Sequence, residues 1–119
     1  DKPISDEADP QLSTVRKTEN ALKLSFSSLT VEVDDLAKGL VSDYLVENSS
    51  TLADKSLSVS SYYDPNIAAS TKARRLAYYR GMSIRNVLLD NGYMASQINI
   101  HVKEAPEQDY VDSVIIHTE

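Results

Sequence analysis

Between Ser56 and Val102 the apolar residues change period twice, and that change limits the folds open to the chain. Leu57, Val59, Ser61 and Tyr63 recur at every second position, which predicts a half-buried strand closed by Pro65. From Ser70 or Thr71 to about Asn91, residues Ala73, Leu76, Ala77, Ile84, Val87 and Leu88 recur at helical spacing, with Gly92 placed to end the helix. Ile98, Ile100 and Val102 then alternate again. Strand, helix and strand in that order favour a right-handed crossover with the two strands parallel in one sheet.

The same reading extends to both sides. Leu22, Leu24 and Phe26 share one face of a strand over residues 21–27. Residues 29–33 alternate in the opposite phase, and either extend that strand past a bulge or lead into the next element. Asp34 or Asp35 can cap a helix to about Asn48, with Val33, Leu36, Ala37, Leu40, Val41, Tyr44 and Leu45 as its apolar stripe. A fourth strand is expected in VDSVIIH, residues 111–117. The order is β-α-β-α-β-β, an α/β (α+β) fold with a mixed sheet and helices packed on one face. The last two strands are joined by a loop too short for a crossover helix, so they are expected to pair antiparallel. Residues 1–20 are polar, hold two prolines and lack an apolar period, which predicts a flexible polar N-terminal arm ahead of a domain over 21–119.

Composition narrows function. The formal net charge of −6 argues against general nucleic-acid binding, which needs a basic face to neutralise phosphates. No cysteine is present, so disulfides, thiol catalysis and cysteine metal sites are excluded. No apolar run approaches a membrane span of about 18 residues. The chain begins at Asp1, as a piece or processed form of a longer protein would. Phosphate-loop, nucleophile-elbow and zincin motifs are absent, and no cofactor site is read. His101 alternates away from Ile98, Ile100 and Val102, which predicts a solvated surface histidine rather than a metal ligand. Asp112-Ser113 precedes a β-branched run instead of opening a helix, unlike a carrier-protein attachment serine. These absences favour a protein that is not an enzyme.

Two residues stand apart. Asp64 falls at a strand tip, and Arg80 follows sixteen residues later in the next helix. Ligands of α/β sheets gather beyond the carboxyl ends of strands. A carboxylate and a guanidinium there can take the ammonium and the carboxylate of a zwitterion, the latter as a bidentate fork. Against this stands the ordinary fate of surface arginines such as Arg74, Arg75 and Arg85, which is solvation. Tyr62, Tyr63, Tyr78 and Tyr79 form a second cluster in the sequence. Exposed, they make a protein partner surface; buried, they pack strand tip on helix.

The stretch Leu76-Ala77-Tyr78-Tyr79-Arg80-Gly81-Met82-Ser83-Ile84, followed by Leu88, Gly92-Tyr93 and Gln97-Ile98, resembles the OmpA C-terminal-like family of peptidoglycan-binding domains. That family's helix reads Leu-Ser-x-x-Arg-Ala-x-x-Val, then Leu, Gly-Ile and Arg-Ile. Its preceding strand ends Gly-His-Thr-Asp, where this chain has Ser61-Tyr62-Tyr63-Asp64. The resemblance covers about residues 21–119 and agrees with the β-α-β-α-β-β order. It implies that Asp64 and Arg80 grip the diaminopimelate of the peptidoglycan stem peptide. It also implies a periplasmic, outer-membrane-associated protein with any lipoprotein-type anchor outside this chain, the acidic arm serving as a spacer. Tyr62 and Tyr63 replace His and Thr, Ala77 replaces Ser, and the family's Gly-x-Gly-Glu run is missing from HVKEAPEQDY. Those departures keep a second expectation open: a scaffold domain with the fold but without the wall ligand, serving protein–protein assembly of an envelope complex such as a secretion system.

Overall fold

The computed structural model describes residues 14–17, 21–27, 30–52, 54–66 and 70–118. Its strands are β1 (Thr14–Lys17), β2 (Ala21–Ser25), β3 (Leu57–Tyr63), β4 (Ile98–Glu104) and β5 (Ser113–Thr118). Its α-helices are α1 (Asp35–Glu47), the single turn α2 (Ser49–Leu52) and α3 (Ser70–Asp90). The strands make one five-stranded sheet in the order β1-β2-β5-β3-β4. β3 and β4 are parallel across the α3 crossover, as the switch of period predicts, and every other neighbour is antiparallel.

Two expectations are corrected. The last two strands do not pair with each other: β5 inserts between β2 and β3, while β4 forms the far edge. Burial explains the order. β5 buries Val114 and Ile116 completely, so it suits the centre of the sheet. β4 is exposed from His101 to Glu104, including Val102, which was expected inward. Part of the polar arm is also structured, since Thr14–Lys17 pairs with Leu22–Ser25 as an edge strand. An edge strand is held by main-chain hydrogen bonds and need not show an apolar alternation. The rest of the arm, residues 1–13 and 18–20, lies outside the described residues.

The core sits on one face of the sheet. Leu22, Ile116 and Val59 line up across β2, β5 and β3, with Leu24 and Val114 in the next row. α1 and α3 cover this face. Asp34 caps α1, its Oδ1 accepting from the Ala37 N–H at 2.8 Å. Ala37, Val41, Tyr44 and Leu45 are buried, a stripe wide enough to meet a single sheet. Leu36 and Leu40 were expected in that stripe but are 62% and 41% exposed. Each precedes a buried residue by one position, about 100° around the helix, which turns it past the sheet. Gly39 is exposed, and a Cβ there would touch nothing within 4 Å. Gly39→Ala is therefore expected to stabilise the domain by about 0.5–1 kcal/mol, measured as a higher urea midpoint at unchanged m value.

α3 ends where the sequence places its stop. Gly92 takes a φ of 96°, the Gly92 N–H bonds the Leu89 carbonyl at 3.0 Å and the Tyr93 N–H bonds the Leu88 carbonyl at 3.2 Å. This paired arrangement satisfies carbonyls that a helix end leaves open. Tyr93 then packs against the core, and burial pushes its phenol above the usual value. Midway along, α3 lies close on the sheet. The Ser61 hydroxyl donates to the Ala77 carbonyl at 2.6 Å, and a Cβ on Gly81 would come within 3.0 Å of the Ile100 Cγ2. That close approach brings the neighbouring Arg80 down to the sheet.

Candidate functional site

The register gathers the candidate residues at one edge of the sheet. Ser25, Ser113, Tyr62 and Lys103 are partners across β2, β5, β3 and β4. Just beyond that row come Phe26 and Ser27 after β2, Tyr63 and Asp64 at the tip of β3, and Asp112 before β5. This edge holds the carboxyl ends of β2, β3 and β4, where sheets of this kind bind ligands. The connection from β4 to β5 crosses the tip of β3, tied down by the Ala105 N–H donating to the Tyr63 carbonyl at 2.8 Å.

Arg80 points into this edge and is only 1% exposed. Its Nε donates to the Thr30 carbonyl at 2.7 Å, Nη1 to the Asp112 carboxylate at 2.7 Å and Nη2 to the Ser27 carbonyl at 3.0 Å. The guanidinium carbon lies 5.2 Å from the centre of the Phe26 ring. A buried guanidinium needs both hydrogen-bond partners and a counter-charge, because its transfer from water costs several kcal/mol. Here the carbonyls supply the first and Asp112 the second. The main chain of Asp112 has a φ of 63°, a left-handed conformation that aspartate tolerates better than most residues. It is held there by the Phe26 N–H, which donates to the Asp112 carbonyl at 2.7 Å.

Asp64 is partly buried at the same edge, with its Oδ1 accepting from the Asn66 N–H at 2.9 Å. That bond closes the turn after β3. Asp64 and Arg80 thus lie at one edge of the sheet, but among the described residues the ion pair of Arg80 is with Asp112. Sequence reasoning passed over Asp112 in this role. The signal for it was a charged residue opening a run of buried β-branched residues, at the edge of the sheet where Arg80 is held.

The tyrosines divide. Ser61 faces α3, so Tyr62 points to the opposite face of the sheet, where its ring meets Tyr110 edge-on at 5.2 Å. The Lys23 ammonium lies 5.0 Å from the centre of the Tyr110 ring and donates to the Asp109 carbonyl at 2.7 Å. Tyr63 is half-buried on the helix side. Tyr78 and Tyr79 are 45% and 49% exposed on α3, their rings 6.0 Å apart. His101 is exposed. His117 is half-buried, its Nδ1 3.0 Å from the Thr118 carbonyl oxygen. No group of three metal-ligating side chains occurs among the described residues. Shallow clefts lie between the C-terminal ends of α1 and α3, lined by Leu45, Tyr93 and Gln97, and beside Glu32, Lys38 and Asp90; neither includes Asp64 or Arg80. No helix among the described residues is long and apolar enough to cross a membrane.

No family model and no curated protein sequence matches the chain. Solved structures do. The OmpA-like domain of FopA1 from Francisella tularensis superimposes with a TM-score of 0.63 at 9% identity, over 90% of this chain and 81% of that one. The peptidoglycan-associated lipoprotein from Burkholderia pseudomallei gives a TM-score of 0.64 at 11% identity, over 82% of this chain and 89% of that one. The cell wall anchor of the T6SS from Pseudomonas aeruginosa gives 0.54 at 14% identity, over 97% of this chain and 94% of that one. The chain has the fold of OmpA-like domains.

Proposed function

We propose that this chain is a non-enzymatic cell-envelope module that binds the diaminopimelate stem peptide of peptidoglycan and so holds a periplasmic, outer-membrane-associated protein to the wall. The observation that carries the reading is that Asp64, at the tip of β3, lies on the same sheet edge as the segments that hold the Arg80 guanidinium, at the carboxyl ends of three strands. An acid and a guanidinium so placed suit a zwitterionic amino-acid centre: Asp64 takes the ammonium and Arg80 the carboxylate. The names of the similar structures, a peptidoglycan-associated lipoprotein and a cell wall anchor, support the same reading. The test is co-sedimentation with purified diaminopimelate-type sacculi. Wild type is expected to pellet at low salt. Asp64→Ala is expected to stay folded and lose about 2 kcal/mol of affinity, if its carboxylate is desolvated by the ligand.

A second reading has its own observation. Arg80 already has a counter-ion inside the fold, in Asp112. On this reading the domain is an OmpA-like scaffold for protein–protein assembly of an envelope complex such as a secretion system, and the exposed Tyr78 and Tyr79 offer its contact surface. Wild type that stays in the supernatant at low salt decides for it.

A further inference from the structure

Asp112 and Arg80 are unequal partners. The Arg80 side chain is 2% exposed and that of Asp112 is 39% exposed. One carboxylate oxygen of Asp112 reaches one guanidinium nitrogen, rather than both oxygens meeting the fork. The guanidinium is pinned without Asp112, by the Ser27 and Thr30 carbonyls and the Phe26 ring. The Asp112 backbone is pinned without its side chain, by the Phe26 N–H. If the Asp112 carboxylate turned outward into water, Arg80 would keep its place and lack only an anion. The sheet edge that holds this pair also holds Asp64, close enough in register that Tyr62 and Ser113 are direct partners.

We propose that Asp112 is an exchangeable counter-ion, and that it selects what binds at this edge: an incoming carboxylate takes its place on Arg80. The proposal rests on the wall-binding reading for the identity of the ligand, but not for the exchange itself. A ligand carboxylate succeeds only where a second contact, its ammonium on Asp64, offsets the loss of the internal ion pair. Asp112 therefore discriminates zwitterionic ligands from simple anions, which lack that second contact. Its removal relaxes the discrimination.

The experiment compares wild type with Asp112→Asn and Asp112→Gly. Both substitutes accept the left-handed backbone, and neither carries charge. Sodium acetate, at constant ionic strength set with chloride, is the first probe, read as thermal midpoint. Acetate is expected to raise the midpoint of both variants and to leave wild type unchanged. Sacculi and a free diaminopimelate-containing tripeptide are the second probe, for which both variants are expected to bind at least tenfold more tightly than wild type. An acetate response without sacculus binding keeps the exchange and removes the wall as ligand. Equal sacculus binding by all three proteins with no acetate response keeps the wall reading and overturns the exchange. No response to either probe overturns both. Without acetate both variants are expected to fold with a lower midpoint than wild type, since the buried guanidinium then lacks its anion; failure of both to fold even in acetate overturns the exchange, because an added carboxylate would then not replace Asp112.

Discussion

Arg80→Met is expected to cost about 2–3 kcal/mol of folding free energy, a large share of the roughly 5–15 kcal/mol that holds a domain of this size together. Methionine conserves much of the side chain's length and apolar surface, so little packing is lost. Most of the cost is polar. The Thr30 carbonyl loses its donor, the Ser27 carbonyl is left with the Thr30 N–H alone, and Asp112 loses its cation. A partly exposed Asp112 can rehydrate, which places most of the cost on the Thr30 carbonyl and on the loss of the tie between α3 and the segment after β2. Arg80→Lys is expected to recover only part of the loss, because an ammonium is a point charge and cannot reach three acceptors set around a planar fork. Urea denaturation with unchanged m value measures both. A cost below about 1 kcal/mol for Arg80→Met would mean that the guanidinium does not bind these segments together.

The ligand reading puts Arg80 in contact with the wall peptide, and the fold puts it among internal partners. A variant of Arg80 that fails to bind sacculi therefore conflates the two. Asp64 is the cleaner probe: its one described bond closes a turn, so its loss removes little beyond the proposed ammonium contact.

The sequence was informative where one residue's period decides its environment. The Leu57–Tyr63 strand, the α3 helix and its Gly92 stop follow from spacing and from the need for a residue that accepts a positive φ. The neighbour of β5 does not follow, because pairing depends on how much surface each strand must hide. VDSVIIH and INIHV both read as strands, yet only the first buries enough to sit at the centre. Leu36 and Leu40 mislead for a related reason: an apolar residue is a permission to be buried, and one sheet meets only a narrow stripe of α1. For the site, the position of Asp64 at a strand tip was legible from the period of β3. The claim of Asp112 on Arg80 was not, because it joins residues thirty-two positions apart through a left-handed backbone that spacing does not reveal.

Ile116→Ala and Ile115→Ala test the register that places the site. Ile116 is 0% exposed, on the strand between Leu22 and Val59, and faces both helices. Its truncation removes three carbons from a closed core and leaves a cavity, at an expected cost of about 2–5 kcal/mol. Ile115 lies between Lys23 and Ser60 on the opposite face and is half-buried, so its truncation is expected to cost no more than about 1.5 kcal/mol. The contrast is sharper than either value, since both changes delete the same atoms from adjacent positions of one strand. A slip of β5 by one residue would exchange the two costs. It would also move Asp112 to the other side of the sheet edge, away from Arg80. Equal or inverted losses in urea would therefore remove the ion pair, and with it the geometry on which the binding proposals stand.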